Sequence, residues 1–373
     1  MKTRMVMNEL KGILHFICSV QFWRMAVLWT LSVLTSYWQL FVQRLFSQKA
    51  CCFTRQLPPT TGRTRPVCVI TGATSGLGAA AAYALSKEGF SVVLAGRSSQ
   101  LLSKTMIGIM SRNKDAHVKA FQVDLSSFQS ILKFRDSLQQ WLLDSNMHVS
   151  IQLLINNAGI LATSPRLSSE GYDQMMSTNY VGAFFLSKLL LPLLRNSPVP
   201  SRIVNVTSFT HRNVFGAQID NETVTGKYFL RCKDYPFAHV YEFSKLVCLL
   251  LFSYELRRQL GLMDNFRHVS VNAADPGVVK TNIMREVPSS ISHVAFIVLK
   301  LFGLLQLPEN GIDSILDAAL APPETSGVYF FGGKGRTLNS SAQSNNSRLA
   351  EELWTISCHL YEENKLACKD FSN

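Results

Sequence analysis

Acid is what this sequence lacks first. Residues 1–65 carry one carboxylate, Glu9, against nine basic side chains. Over the 373 residues, charged side chains make up only 17%, which is low for a protein surrounded by water. Two-thirds of the formal +12 charge therefore belongs to the N-terminus, and positions 66–373 are close to neutral. That distribution argues against a basic nucleic-acid-binding globule, so no nucleic-acid partner is expected. Metal patterns are missing as well. The eight cysteines include no CxxC pair and no Cys/His zinc spacing. This excludes a zinc module, gives no metal site and leaves no disulfide framework. Cys68 and Cys248 fall in apolar runs and read as core, in a reducing compartment. No internal repeat is present, which excludes a solenoid. A hydrophobic content of 47% excludes disorder of the whole chain.

Long apolar runs, by contrast, are present. Met25–Val42 has eighteen residues without a charge, and only Arg24 separates it from GILHFICSVQFW. A membrane span needs ~20 apolar residues, and Trp23, Trp29, Tyr37 and Trp38 suit membrane interfaces. Three readings stay open: a signal anchor, which leads; an interfacial or re-entrant helix; and a cleaved signal or transit peptide. Membrane lipid is an expected partner. Cys51 and Cys52 lie just beyond the run, either as plain thiols or as acylation sites. Sequons occur at Asn205, Asn221, Asn339 and Asn345. Asn205 falls within an expected buried strand, which favours a cytosolic catalytic domain on a membrane such as the endoplasmic reticulum.

The expected division is an anchor and linker over 1–65, a catalytic domain over 66–335, and a polar linker with a final helix over 336–373. Leu57–Arg65 is rich in Pro, Gly and Thr, as linkers are. Beyond it, short apolar runs at Pro66–Ile70, Ser91–Ala95, Val118–Val123, Val149–Ile155, Arg202–Val206, His268–Ala274 and Gly327–Phe331 read as strands. Helical patterns at Leu77–Glu88, Tyr172–Leu194 (stopped near Pro192), His239–Leu260 and Arg348–Leu366 separate or follow them. This alternation specifies α/β architecture: one doubly wound Rossmann-type domain with a parallel sheet, preceded by the anchor helix.

The first turn reads Thr71-Gly72-Ala73-Thr74-Ser75-Gly76-Leu77-Gly78. It follows a strand and opens a helix, where glycines admit a pyrophosphate and the helix N-terminus supplies N–H donors. No Lys-Ser/Thr follows Gly78, so this is not a P-loop. Nineteen residues after Gly78 stands Arg97. An acid at that strand end would take a ribose 2′-hydroxyl, whereas an arginine suits a 2′-phosphate. NADP(H) is therefore the expected cofactor, with a solvated strand-end Arg as the plainer alternative. Asp124 would contact the adenine, and Asn157, Ala158 and Gly159 would line the adenosine side.

Tyr-x-x-x-Lys occurs three times, at 83/87, 241/245 and 361/365. Only Tyr241 and Lys245 lie in a helix just after a strand-end serine, Ser208. Residues four apart share a helix face. An ammonium beside a phenol of ordinary pKa ~10 favours its ionisation.

TGATSGLG at 71–78, NNAG at 156–159, Asn179, Ser208, Tyr241/Lys245 and PGVVKT at 276–281 together resemble the short-chain dehydrogenase/reductases, over residues 66–335. More narrowly, they resemble the retinol-dehydrogenase-like branch. The resemblance implies that Ser208 holds the substrate oxygen and that Tyr241 exchanges a proton with it. Lys245 would bond the nicotinamide ribose, and Asn179 would extend a proton relay through water. Pro276 and Gly277 would bring the backbone to the nicotinamide, with Val279 beside it. Thr281 would bond the carboxamide or pyrophosphate. Two plainer readings remain, with Asn179 satisfying backbone and Thr281 capping the next helix.

Ser208 and Tyr241 are 33 residues apart. This is a long gap, of the kind the branch has, and it reads as a flap beside the site. Ile291–Leu307 reads as a buried helix or an amphipathic lid. With the anchor, it favours a lipophilic small-molecule alcohol or carbonyl of polyisoprenoid, retinoid or steroid type. A cofactor-binding regulatory scaffold and a plastid pigment reductase are the alternatives, and a homodimer is open.

Overall fold

The computed structural model describes residues 2–46, 52–56, 65–262 and 269–370. Most of the Leu57–Arg65 linker, Cys51 and the side chain of Cys248 fall outside this description. Short runs rich in Val, Ile, Leu and Ala form the central strands. These are β1 (Val67–Thr71), β2 (Ser91–Gly96), β3 (His117–Gln122), β4 (Leu153–Asn156), β5 (Ser201–Val206) and β6 (Val269–Asp275). A two-residue pair follows, β7 (Val278–Val279) on β8 (Leu305–Gln306), and β9 (Tyr329–Phe331) closes the main sheet.

The main sheet has the order β3-β2-β1-β4-β5-β6-β9, with every pairing parallel. Its interior strands are buried along their whole length, because helices cover both faces. The edge strand β3 is partly exposed. Strand order reverses between β1 and β4. In such sheets the crevice outside the carboxyl ends at this point binds the ligand.

Two helices that meet this crevice are not regular. The helical pattern expected from Tyr172 begins at Gln174, capped by Asp173. It passes through a π-turn at Ser177–Val181 and runs on as Gly182–Arg195, so Pro192 lies inside the helix rather than ending it. The helix expected over His239–Leu260 runs from Phe237 to Leu262 with a π-turn at Leu246–Leu251. Such turns add one residue to a helical turn and re-aim neighbouring side chains. One of them holds Asn179, and the other follows Lys245 directly.

The flanking segments pack on this unit. The C-terminal helix Ser347–Asp370 buries Leu353 and Leu360 in the main core, each contributing about 2 kcal/mol of apolar burial. Its Trp354 stacks on Phe252, and Ser357 meets the Tyr180 hydroxyl at 2.5 Å. Val20–Phe46 is long and apolar enough to cross a membrane by length and composition, yet one of its faces lies against the domain. Ser32 and Ser36 are buried there. Ser32 donates to Asn213 Oδ1 at 2.5 Å, and Arg212 donates to Ser36 Oγ at 3.2 Å. The opposite face exposes Val20, Trp23, Val27, Leu31, Leu34, Trp38, Phe41 and Leu45.

Candidate active site

A cavity of about 1650 Å³ opens at the switch point. That exceeds the volume of an ordinary small-ligand pocket and leaves room for two molecules. Its floor is the turn after β1, where Gly72 and Gly76 have φ of +64° and +54°. A side chain on Gly72 would press on Ala158 Cα at 2.9 Å. One on Gly78 would overlap the Gly72 carbonyl oxygen and approach Asn157 Nδ2 at 2.6 Å. Asn157 explains this closeness: its amide donates to the Thr71 carbonyl at 2.9 Å, and the Thr71 hydroxyl accepts from the N–H groups of Asn157 and Ala158 at 3.0 Å. Two loops from adjacent strands are thus laced into one backbone-walled cradle of the size and chemistry a pyrophosphate requires.

Thr71, Gly72, Ser75, Gly76, Leu77, Arg97, Asn157, Ala158 and Gly159 line this end of the cavity. Pro276, Gly277, Val279 and Thr281 line its far side. Arg97 is exposed at the end of β2, and Lys104 joins it on the wall. In the sequence, nothing distinguishes Lys104 from other helix-surface lysines.

Three expected residues do not reach the wall. Gly78 sits beneath the turn. The Asp124 carboxylate turns back to accept from the N–H and hydroxyl of Ser126 at 2.9 and 2.7 Å. Asn179 is buried: it accepts from Ile160 N–H at 2.8 Å and donates to the Ile160 carbonyl and Ser244 Oγ, both at 3.0 Å. Thr281 does reach the wall, and its hydroxyl also accepts from Ile283 N–H at 3.4 Å at the start of a short helix.

Ser208, Tyr241 and Lys245 line the middle of the cavity. The Ser208 side chain interacts with the Tyr241 phenol in the sense that favours its ionised form. Lys245 Nζ lies 5.7 Å from the centre of the Tyr241 ring and donates to the Val206 carbonyl at 3.3 Å. Of the other two Tyr-x-x-x-Lys pairs, neither is on the cavity wall. Tyr83 instead lies under the Arg112 guanidinium at 3.9 Å.

Burial, more than neighbouring charge, sets the proton affinities here. Lys245 four residues on would lower the Tyr241 pKa, but its surroundings raise it. Burial is the main cause and the Asp275 carboxylate adds to it, while the Ser208 side chain opposes both. Tyr241 is therefore a protonated phenol at neutral pH, placed to give a proton. Asp275 is itself pushed up to about 6 by burial; the Tyr329 hydroxyl at 2.6 Å and Gly277 N–H at 2.8 Å offset this, as do Arg212 and Lys245. His211 is buried below Ser208. Its Nδ1 bonds the Ser208 carbonyl at 2.7 Å and its Nε2 accepts from Ser341 N–H at 3.1 Å, which fixes the neutral tautomer. Burial and then Arg212 push His211 down to about 3.

A family model described as short chain dehydrogenase matches residues 66–218. Human polyprenol dehydrogenase is 30% identical over 81% of this chain and 86% of its own length. The chain belongs to the short-chain dehydrogenase/reductase family. Mouse retinol dehydrogenase 12, 30% identical over 90% of this chain and 98% of its own, places it in the retinol-dehydrogenase-like branch. A solved structure of a Mycobacterium paratuberculosis protein is 26% identical, with a TM-score of 0.61 over 83% of this chain and 98% of that one. As a member of this family, the chain is an oxidoreductase that uses a nicotinamide cofactor on an alcohol or carbonyl.

The second half of the cavity comes from elsewhere in the chain. The helix Ser289–Leu301 has no buried residue, so it is not the core helix its composition allowed. Ile291, Ala295 and Leu299 line the cavity, while Ile297 and Leu301 face outward. Across from it stand Met25, Trp29 and Val33 of the N-terminal helix. Trp29 packs on the Tyr241 ring with centroids 5.4 Å apart.

Proposed function

We propose that this protein is a membrane-associated NADP(H)-dependent oxidoreductase interconverting a lipophilic alcohol and its carbonyl, of polyisoprenoid, retinoid or steroid type. One observation carries the reading: Ser208, Tyr241 and Lys245 line the same cavity, between a glycine cradle and a largely apolar wall.

A nicotinamide cofactor held by the cradle supplies or takes the hydride. Ser208 then orients the substrate oxygen and offsets negative charge developing on it. Tyr241 gives that oxygen a proton in the reductive direction and recovers it in the oxidative one. Lys245 brings a positive charge to the same corner, counters Asp275, and is in position to bond the cofactor ribose. Arg97, with Lys104 beside it, offers cationic donors to a 2′-phosphate. Asn179 acts by position: it ties Ile160, which follows the Asn157–Gly159 loop, to Ser244 on the Tyr241 helix. Thr281 links the end of the cradle to the apolar half.

The names of the relatives, polyprenol and retinol dehydrogenases, support a lipophilic substrate, as does the apolar wall. The exposed stripe from Val20 to Leu45 and the outer face of Ser289–Leu301 support a protein seated on a bilayer surface. A span through the bilayer would have to break the contacts of Ser32, Ser36 and Arg24 with the domain. The basic N-terminus suits an anionic cytosolic leaflet, and the endoplasmic reticulum is the proposed membrane.

The test is turnover of farnesal in phospholipid vesicles by the full chain. Oxidation of NADPH well above that of NADH is expected. Equal rates would overturn the cofactor assignment, and turnover of soluble aldehydes alone would overturn the lipophilic one.

A further inference from the structure

Near the start of the apolar N-terminal helix stands a charge, Arg24, and directly after Tyr241 stands a buried carboxylate, Glu242. The fold brings these together across 218 residues. Glu242 is completely buried, and both of its oxygens are taken by the N-terminal helix. Arg24 Nε donates to Oε2 at 2.7 Å, and Trp29 Nε1 donates to Oε1 at 2.7 Å. Arg24 also donates to the Asn213 carbonyl at 3.0 Å and meets His239 Nδ1 at 3.2 Å, and His239 itself stands 3.8 Å from Glu242. A carboxylate taken out of water this far is tolerated only with such partners. A helix serving merely as a tether in lipid would need none of them.

The position matters as much as the bond. Glu242 follows Tyr241 in sequence, and the Trp29 indole it holds packs on the Tyr241 ring. On the same helix, Met25, Ala26, Thr30 and Val33 line the cavity. Phe16, one helix earlier, stacks on Phe237 at 5.7 Å at the start of the Tyr241 helix.

We propose that Glu242 is a positioning residue that latches Arg24 and Trp29 over the reaction centre, making the N-terminal helix the substrate-specificity wall of the enzyme. Trp29 selects long apolar chains by closing the cavity beside Tyr241, and the exposed side of the same helix rests on the lipid from which they come. This deepens the functional reading above and rests on it for the nature of the substrate.

The test uses the full chain in vesicles with NADPH, butanal and farnesal. It also measures equilibrium binding of farnesol in the presence of NADPH, which needs no turnover. Trp29→Ala should raise KM for farnesal and Kd for farnesol at least about tenfold, as loss of one aromatic anchor does. KM for butanal and Kd for NADPH should stay within about twofold. Glu242→Gln, which keeps the volume, should show the same split, and Glu242→Asp should restore part of it. Trypsin cleavage after Arg24, followed by mass spectrometry, should be slow in the native chain and at least about tenfold faster in Glu242→Gln. Butanal and farnesal constants that move together, or not at all, would overturn the wall. Unchanged cleavage would overturn the latch. If the native chain turns over neither aldehyde while farnesol binding still splits, the catalytic reading falls and the wall stands.

Discussion

Acid should reveal two buried groups of opposite sign. A free histidine titrates near 6.5, and His211 is held at about 3 by burial and Arg212. Between those values the unfolded chain takes a proton that the folded chain refuses. Stability is therefore complete above about pH 6.5 and is lost as the pH falls. At pH 5 the loss is 1.5 units of 1.36 kcal/mol, or about 2 kcal/mol. Asp275 works the other way. Burial lifts it to about 6 from an ordinary 3.8, so the folded chain takes the proton first. Folding gains stability as the pH falls from 6 towards 4, and about 1.4 kcal/mol of this gain accrues between pH 7 and 5. These two contributions nearly cancel in the native protein and separate in variants. His211→Asn keeps a donor for the Ser208 carbonyl and an acceptor for Ser341 N–H. Relative to the native chain, its stability should improve by about 2 kcal/mol on going from pH 7 to 5. Asp275→Asn should lose about 1.4 kcal/mol over the same interval. Urea unfolding in mild detergent at the two pH values, with variant minus native differences, isolates these contributions from every other carboxylate. Both variants tracking the native chain within about 0.5 kcal/mol would refute the burial argument for this network.

Two further perturbations address the cradle. Arg97→Glu should raise the NADPH KM about 10- to 100-fold by losing a charge-assisted contact and adding a repulsion, while leaving NADH within about threefold; steady-state kinetics with both cofactors read the ratio. Gly78→Ala would drive a methyl into the Gly72 carbonyl and towards Asn157 Nδ2. It should cost about 1–3 kcal/mol in thermal unfolding and abolish cofactor binding by calorimetry, because the loops after β1 and β4 cannot both stay in place.

Much of this was legible in the sequence because it is local. Apolar runs ending in Ile70, Ala95, Ile155 and Val206 specify strands, and turn chemistry beside them marks the cradle. Tyr241 and Lys245 stand out by their spacing and by the strand-end Ser208 that precedes them. What could not be read depends on contacts between distant residues. The sequence does not show that Ile160 and Ser244 hold the Asn179 amide. Nor does it show that the Asp124 carboxylate accepts from Ser126, two residues on. For the Tyr241 proton affinity, Lys245 is visible in the motif, whereas burial and Asp275, which act the other way, become visible only in three dimensions. In the sequence Arg24 is an interruption of an apolar run. A lone charge between two apolar runs, together with an acid directly after Tyr241, is the available signal for their pairing.

The central claim is that Tyr241 gives the substrate its proton, and Tyr241→Phe tests it most directly, because it deletes one hydroxyl and preserves the ring against Trp29. NADPH and farnesol binding should stay within about twofold of native, while farnesal turnover in vesicles falls about 10²- to 10⁴-fold, the range set by loss of a general acid. Turnover retained within about tenfold, with binding intact, would contradict the account.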